Sequence, residues 1–347
     1  MNAGYEVTTL APVDDTASKL EKAGCKYINL NIDNKGLNPM ADFRLKIRLE
    51  EIYAQLSPDL VIHYTIKPVI YGSLAAANLG IPFVNNITGL GTAFIKENWV
   101  TWLVKRLYRL SQKNADYIFF QNSDDREIFE KEKLIPENVP RKVIPGTGIN
   151  TDHFNSRPYP VSNSVTFLLI ARMLWDKGVG EFVEAARQMK SEFSDIRFQL
   201  LGFLDVSNRT AISRQQMQLW TKQDVIDYLG ETDDVRGHIA SSSCVVLPSY
   251  REGLPRTLLE AAAMGRPIIT TNVTGCREVV QHGLNGYLCK ARDANDLAQK
   301  MRDMAKLSID ERRDMGLRGR EKMVSEFDEK IMVKKIVNRI ESLLNAD

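Results

Sequence analysis

The sequence is poor in cysteine, has almost no net charge and lacks long apolar runs, and each absence excludes a class of protein. Its four cysteines are scattered, without a CxxC pair, which excludes a disulfide framework and a cysteine-rich zinc site (Cys25, Cys244, Cys276 and Cys289). The net charge of +2 gives no reason to expect nucleic-acid binding. No apolar run reaches the length of a membrane span, and no signal peptide is recognisable. We therefore expect a cytoplasmic protein in a reducing compartment.

The length and composition of the sequence indicate a globular chain of two domains. A length of 347 residues exceeds the usual size of one core, and 44% hydrophobic with 26% charged residues is typical of folded domains. Strand-like and helix-like segments alternate along the chain, which favours α/β domains with parallel sheets and helices on both faces. The segment Asn155–Asn163, with two prolines and several polar residues, is the best candidate for a linker.

The first half contains six candidate strands, each a short apolar run bounded by polar or turn-forming residues. They are Tyr5–Leu10, Tyr27–Leu30, Leu60–His63, Phe83–Asn86, Tyr117–Phe120 and Lys142–Ile144. Ala41–Leu56 and Phe94–Lys113 are the main helices predicted between them. A second alternating series runs from Val165 to about Leu307 and includes a predicted strand Asp224–Leu229.

The most informative segment places two carboxylates around one strand-to-helix connection. Ser243–Leu247 reads as a buried strand, and Arg256–Met264 reads as a helix that ends at a glycine-proline pair. Glu252 lies in the loop between them and Glu260 lies in the helix, near the carboxyl edge where open α/β sheets bind ligands. The alternative interpretation is that Glu252 stabilises the helix N-terminus and Glu260 faces solvent.

A second constellation precedes it in the chain. Arg172 and Lys177 lie in the loop between the apolar strand Val165–Ile170 and a helix that begins near Val179. There a guanidinium, an ammonium and free backbone N–H groups can converge on a phosphate. Each cation taken alone is equally compatible with an ordinary surface turn.

Together these residues resemble the family 4 glycosyltransferases. The resemblance is carried by Arg172 and Lys177, by Glu252 and Glu260 with the flanking PSYREGLPR and EAAAMGRPII, and by the segment Gly148–Phe154. It covers nearly the whole chain. The sequences ITGLGTAF and TIKP in the first half are most similar to bacterial transferases that extend polyprenyl-diphosphate-linked glycans, namely α-N-acetylgalactosaminyltransferases and their O-antigen and capsule relatives.

The resemblance implies a GT-B fold, with two Rossmann-like doubly wound domains facing a central cleft. Residues 1–155 would bind the acceptor, residues 156–327 the nucleotide sugar, and residues 328–347 would form a helix that crosses back to the first domain. The implied activity is retaining transfer of a hexose or N-acetylhexosamine from a nucleotide sugar, with UDP favoured, to a lipid-diphosphate-linked glycan. No cofactor is implied, because the two cations would hold the diphosphate without a metal.

The resemblance also assigns site residues. The catalytic group would be Glu252 near the donor sugar, with Arg172 and Lys177 on the diphosphate. The other donor-binding residues would be Glu260 on the ribose, the backbone amides of Gly253 and Leu254 near the phosphate, and Gly230 near the base, although a plain turn is nearly as good an interpretation of Gly230. In such retaining enzymes the leaving phosphate oxygen takes the acceptor proton, so no protein nucleophile is needed.

The acceptor side departs from the family pattern. Thr88 occupies the position at which many members carry a histidine, and threonine cannot act as a base near neutral pH. Gly89 and Gly91 would let backbone N–H groups approach a ligand closely. His63 is a further candidate for the lining of this side, or alternatively a histidine of the core.

The beginning of the chain is a second departure. The sequence Gly4–Val7 matches the second strand of relatives, so the first strand, its glycine-rich loop and the following helix are expected to be missing. In a sheet of order 3-2-1-4-5 the first strand is central, and its loss would leave two neighbours with unpaired edges. We therefore expect a first domain that is incomplete at its start, and impaired activity.

The predicted helix Phe94–Lys113 interleaves aromatic and basic residues. Trp99 and Trp102 alternate with lysines and arginines, a mixture expected of a helix that lies on an anionic membrane. Such peripheral contact with the inner face of the membrane would suit a lipid-linked acceptor. A helix of the first domain with one buried side and solvated cations explains the pattern equally well.

Two other functional classes fit parts of the sequence. A nucleotide-sugar 2-epimerase of the same architecture would release an altered sugar without an acceptor. A non-catalytic relative would bind a nucleotide and turn nothing over. Release of nucleoside diphosphate that depends on an acceptor separates the transferase from both.

Overall fold

Strands and helices alternate throughout the computed structural model, which describes residues 3–14, 16–32, 38–89, 99–162, 164–193 and 195–345. The chain divides into two compact units. The first comprises Met1–Phe120, Asp125–Val143 and Lys334–Asp347, and the second comprises Gln121–Asp124 and Ile144–Val333. Within the described sheets every strand pairing is parallel, which confirms the predicted α/β class.

The first unit contains two parallel sheets among its described residues, with strand orders β1-β2 and β3-β4-β5-β6. Its strands are β1 (Thr8–Ala11), β2 (Lys26–Asn29), β3 (Val61–Tyr64), β4 (Phe83–Ile87), β5 (Tyr117–Phe120) and β6 (Arg141–Val143). The helices between them are α1 (Ala17–Lys22), α2 (Pro39–Leu56), α3 (Ser73–Leu79), α4 (Trp99–Ser111) and α5 (Ser123–Lys131). The predicted strands thus lie at the predicted places, Tyr117–Phe120 at its predicted limits and the others with shifted ends. The expectation of an absent opening strand stays a prediction.

Helix α2 illustrates how local sequence fixes these elements. The Asn38 side chain accepts a hydrogen bond from a backbone N–H of the first turn, and Pro39 occupies a position where no N–H is needed. Leu45, Leu49 and Ile52 recur at helical spacing and are all buried. The helix therefore packs one apolar stripe against the core of the first unit.

The second unit is built on one six-stranded parallel sheet of order β12-β11-β10-β7-β8-β9. Its strands are β7 (Val165–Ile170), β8 (Ile196–Leu201), β9 (Asp227–Tyr228), β10 (Cys244–Leu247), β11 (Ile268–Thr271) and β12 (Gly286–Cys289). The helices are α6 (Val179–Lys190), α7 (Arg214–Lys222), α8 (Arg236–Ser241), α9 (Arg256–Ala263), α10 (Ala294–Lys306) and α11 (Ile309–Lys322). A last helix, α12 (Glu329–Leu344), begins in the second unit and belongs to the first unit from Lys334 onward.

The strand order brings the two informative loops together. Strands β7 and β10 are neighbours, with Leu168 opposite Val245, and both are buried almost throughout. Because parallel strands end at the same edge of a sheet, the loop that carries Arg172 and the loop that carries Glu252 emerge side by side.

A buried arginine fixes the start of the second unit to its sheet. Arg266 is 1% exposed, and its guanidinium donates hydrogen bonds to backbone carbonyl oxygens on three separate segments. These oxygens belong to Arg157, Pro158, Ile239, Ala240, Met264 and Gly265. Burial lowers the pKa of Arg266 to about 10, so the side chain stays charged near neutral pH. The linker region is therefore anchored by one cation.

Candidate active site

Two loops at the carboxyl edge of the second sheet touch each other directly. Gly178 has φ +73°, and a Cβ placed there would clash with the carbonyl oxygen of Pro248. The backbone N–H of Tyr250 donates to the carbonyl oxygen of Asp176 at 2.9 Å. Only glycine combines this left-handed backbone with so close an approach, so Gly178 permits the contact between the loops.

The contact pairs a cation and a carboxylate that were predicted from separate motifs. Lys177 Nζ forms an ion pair with Glu252 Oε1, and the side chains are 20% and 13% exposed. The Ser249 hydroxyl donates to the same carboxylate oxygen at 2.6 Å. The geometric expectation that an acid and a base far apart in sequence share one place is therefore met for this pair.

The loop that follows Glu252 presents free backbone donors. The backbone N–H of Glu252 donates to the carbonyl oxygen of Thr274 at 3.2 Å, and a Cβ at Gly275 would lie 2.6 Å from the carbonyl oxygen of Gly253. Among the residues that the structure describes, the amide N–H groups of Gly253 and Leu254 have no hydrogen-bond partner. Adjacent free N–H groups beside a lysine suit an anionic ligand.

Glu260 lies in α9 and is 9% exposed. Its Oε1 atom accepts a hydrogen bond from Arg256 Nε at 2.9 Å. Burial raises the pKa of Glu260, and Arg256 offsets part of that effect. This burial does not fit the alternative interpretation of a solvent-facing glutamate.

Replacing Glu260 by glutamine is expected to raise Tm at neutral pH and to weaken nucleotide binding. A carboxyl group with a raised folded-state pKa favours the folded state below its unfolded pKa, and this contribution is lost as the pH rises through the folded pKa. The amide of glutamine does not titrate, so the difference in Tm between variant and wild type should grow as the pH rises from the unfolded-state pKa to the folded-state pKa of Glu260. The exposed Glu321 provides the matched control, since Glu321→Gln should change neither Tm nor binding. A lower Tm for Glu260→Gln would contradict the prediction.

Two further strand ends, those of β8 and β9, lie at the same edge. Gly230 has φ +77°, and its carbonyl oxygen accepts the backbone N–H of Gly202 at 2.7 Å. Gly202 has φ +138°, and a Cβ there would clash with the carbonyl oxygen of Ala171. Arg172 follows Ala171 directly and is exposed. Arg172, Lys177, Gly230 and Glu252 thus lie on loops of one sheet edge.

The residues proposed for the acceptor side belong to the first unit. His63 is 2% exposed. Its Nε2 atom lies 3.1 Å from the Tyr53 hydroxyl and its Nδ1 atom lies 2.9 Å from Asn85 Oδ1, both within hydrogen-bond distance. Burial lowers the pKa of His63 to about 4, so the ring is neutral, with its proton on Nδ1. This environment favours the interpretation as a core histidine. Thr88 is half-buried, Gly89 has φ +129°, and Gly91 lies outside the described residues.

Sequence reasoning missed three residues of the candidate site. Ser249 orients Glu252, Thr274 supports its backbone, and Gly202 allows two strand ends to meet. Ser249 lies inside the PSYREGLPR motif, so a signal for it was present. Thr274 and Gly202 contact the site through loop conformations that no local pattern specifies.

Helix α4 buries one face and exposes another. Val104 and Tyr108 are buried, whereas Trp99 and Trp102 are 71% and 58% exposed. The Arg106 guanidinium lies 5.1 Å from the centre of the Trp102 ring. The buried side fits the interpretation as a helix of the first domain, and membrane contact of the exposed side stays a prediction. No helix among the described residues is long and apolar enough to cross a membrane, and residues 94–98 of the predicted segment lie outside the described ones.

Comparison with known proteins matches both halves of the chain to models of sugar-transferring enzymes. The model "Glycosyl transferase 4-like" matches residues 1–122, and "Glycosyl transferases group 1" matches residues 164–306, so together they span more than half of the chain. One similar protein is the N,N'-diacetylbacillosaminyl-diphospho-undecaprenol α-1,3-N-acetylgalactosaminyltransferase of Campylobacter jejuni. It is 29% identical over 313 residues, which are 85% of this chain and 81% of that protein.

Two more comparisons support the same assignment. The UDP-Gal:α-D-GlcNAc-diphosphoundecaprenol α-1,3-galactosyltransferase of Escherichia coli is 26% identical over 78% of this chain and 70% of its own length. The crystal structure of a glycosyltransferase from Rickettsia africae superimposes with a TM-score of 0.80 at 21% identity, covering 100% of this chain and 92% of that one. This likeness confirms the predicted GT-B fold.

Proposed function

Because the chain belongs to the glycosyltransferases that these two family models describe, we propose that it moves a hexose or N-acetylhexosamine from a nucleotide sugar to a lipid-diphosphate-linked glycan, with retention of anomeric configuration. UDP is the proposed carrier, in line with the name of the galactosyltransferase from E. coli. The lipid-diphosphate acceptor is proposed because two similar proteins are named for undecaprenyl-diphosphate substrates.

The observation that carries this proposal is the ion pair between Lys177 and Glu252 beside the free amides of Gly253 and Leu254. Sugar transfer breaks the bond between the anomeric carbon and the phosphate oxygen, so negative charge grows on the diphosphate and positive charge on the ring. Lys177, Arg172 and the two N–H groups would stabilise the leaving group. Glu252 would bind hydroxyls of the donor sugar.

In the proposed step the acceptor hydroxyl forms the new glycosidic bond on the face that the diphosphate leaves. The departing phosphate oxygen takes the proton of that hydroxyl, so atoms and charge balance without a protein base. Glu260 would hold the ribose and Gly230 would lie near the base. Thr88 and Gly89 in the first unit would belong to the acceptor side.

We divide these roles along the chain as the resemblance implies. Residues 1–155 would bind the acceptor, residues 156–327 would bind the nucleotide sugar, and residues 328–347 would form a helix that returns to the first part. The second range contains every donor-site residue named above, which supports this division.

The decisive experiment measures release of nucleoside diphosphate from a panel of UDP-linked hexoses and N-acetylhexosamines, with and without a polyprenyl-diphosphate glycan. The proposal expects release from one donor that requires the acceptor. An altered sugar released without acceptor would instead select the epimerase. Nucleotide binding with no turnover on any donor would select the non-catalytic alternative.

We also propose that the exposed face of α4 rests on anionic membrane, where a lipid-linked acceptor would be found. Trp99 and Trp102 provide apolar area, and Arg106 provides positive charge beside them. Replacing both tryptophans by alanine should reduce flotation with anionic liposomes by about tenfold or more, because each exposed indole buries a large apolar surface on binding. Leu219, 48% exposed in the second unit, gives the control variant Leu219→Ala. Undiminished flotation of the double variant would contradict this role.

A further inference from the structure

A pocket in the second unit is lined by residues outside the candidate active site. It has a volume of about 390 Å³ and is formed by the first turns of α6, one face of α7 and the start of α10. Its principal lining residues are Trp175, Glu181, Glu184, Arg187, Trp220 and Arg292. None of them belongs to the residues assigned to donor or acceptor.

The pocket has a fixed and exposed aromatic wall. Trp175 is 40% exposed, and its ring meets that of Trp220 edge to face, with the ring centres 5.7 Å apart. A Cβ at Gly180 would lie 2.5 Å from the Trp175 ring, so the absence of a side chain there lets the ring lie against α6. The backbone N–H of Trp175 donates to the carbonyl oxygen of Thr210 at 2.8 Å. A large apolar side chain is thus held in place and still presented to solvent.

The polar side of the pocket is electrically balanced. Glu181 and Glu184 supply two carboxylates, and Arg187 and Arg292 supply two guanidiniums. Arg187 and Glu184 form an ion pair at 2.7 Å. Glu181 Oε1 accepts a hydrogen bond from the Tyr250 hydroxyl at 2.6 Å, and its Oε2 is a buried atom that has no hydrogen-bond partner among the described residues.

The backbone at Arg292 is unusual in the same place. This residue has φ +60°, a left-handed conformation that is uncommon for arginine. Its guanidinium lies 4.5 Å from the centre of the Tyr250 ring. Such strain persists where the surrounding structure imposes it, and it concentrates at ligand-binding sites.

These features select the chemistry of the ligand. A phosphate would meet two carboxylates, and a purely apolar ligand would remove four charged groups from water without replacing their hydrogen bonds. A pyranose ring satisfies both sides of the pocket, because its C–H face packs on an indole and its hydroxyls donate to carboxylates and accept from guanidiniums. We propose that this pocket is an accessory binding site for a neutral saccharide, with the sugar ring against Trp175.

Saccharide binding to the full chain tests this site independently of sugar transfer. The probes are galactose, N-acetylgalactosamine and N-acetylglucosamine, together with a trisaccharide such as triacetylchitotriose, followed by saturation-transfer NMR and tryptophan fluorescence. Trp175→Ala should weaken binding roughly tenfold, equivalent to about 1.4 kcal/mol. Trp175→Phe should retain most of the affinity, since it keeps an aromatic face. Tighter binding of the trisaccharide would assign the pocket to a glycan chain, and equal binding would assign it to a single sugar unit.

Two controls keep the outcome interpretable. Trp102→Ala removes an exposed tryptophan of the first unit and should leave saccharide affinity unchanged. Glu184→Ala changes an exposed position of α6 and should weaken binding without unfolding the chain, so it tests the site even if Trp175→Ala is unstable. The proposal is overturned if no saccharide binds, if the Trp175 and Glu184 variants bind as wild type does, or if UDP displaces the saccharide. Because transfer is not measured, these results leave the proposed function untouched.

Discussion

Lys177→Ala is expected to lower kcat/KM for sugar transfer roughly 100- to 1,000-fold, the usual cost of removing one charged or hydrogen-bonding group that stabilises a leaving group. Arg172→Ala should have an effect of the same order, because both cations would act on the charge that grows on the diphosphate. The measurement is acceptor-dependent release of nucleoside diphosphate under subsaturating donor. Thermal melting of Arg172→Ala should stay close to that of the wild type, since Arg172 is exposed, whereas Lys177→Ala should melt somewhat lower because it leaves the largely buried Glu252 without its cation.

A matched lysine is available for comparison. Lys190 also pairs with an acid of the second unit, Asp224, but lies on the outer end of α6. Lys190→Ala should therefore keep full activity. If Lys177→Ala and Arg172→Ala both turned over donor as the wild type does, the assignment of the diphosphate site would be wrong, whatever the family of the chain.

Arg266→Met is expected to destabilise the second unit by about 3–5 kcal/mol, because several buried carbonyl oxygens lose their donor and each such loss costs about 1–3 kcal/mol before the site relaxes. The methionine roughly fills the volume, but it removes the donor from the carbonyl oxygens of Arg157, Pro158 and Ala240, which lie on two segments. The loss should be seen as a lower midpoint in urea unfolding, followed by intrinsic fluorescence. Activity measured well below the new midpoint should be retained, because Arg266 contacts no residue of the candidate site.

An exposed arginine separates this effect from loss of charge alone. Arg236 pairs with Asp234 at the protein surface, so Arg236→Met should leave the urea midpoint close to that of the wild type. Equal midpoints for Arg266→Met and Arg236→Met would contradict the anchoring role. A small effect at position 266 would mean that water reaches the carbonyl oxygens when the guanidinium is absent.

The sequence predicted buried strands well and edge strands poorly. Val165–Ile170 was predicted at its observed limits, because a continuous apolar run suits a central strand covered on both faces. By contrast, Asp224–Leu229 was predicted as a strand, and only Asp227–Tyr228 pairs with β8. Val225 and Ile226 are apolar because they are buried in the core, not because they belong to the sheet. Hydrophobicity alone does not distinguish these two reasons.

The candidate site was predictable as far as sheet topology determines it. Lys177 and Glu252 meet because each follows a buried strand, and those strands are neighbours. The role of Ser249 and the closeness of Gly178 to Pro248 depend on exact loop conformations, which arise from tertiary packing. For His63 the sequence was less informative. Its position at a strand end suggested contact with a ligand, and only its hydrogen bonds to buried partners identify it as a core residue.

The pairing of Lys177 with Glu252 would help the enzyme to distinguish its nucleotide-sugar substrate from the nucleoside diphosphate product. A nucleotide that draws the ammonium toward its phosphates deprives the carboxylate of its counter-charge. An intact nucleotide sugar would offer that carboxylate the hydroxyl groups of its sugar ring, whereas the nucleoside diphosphate left after transfer lacks this ring. Retention of the spent nucleotide would therefore be disfavoured, and the ion pair would re-form as it departs.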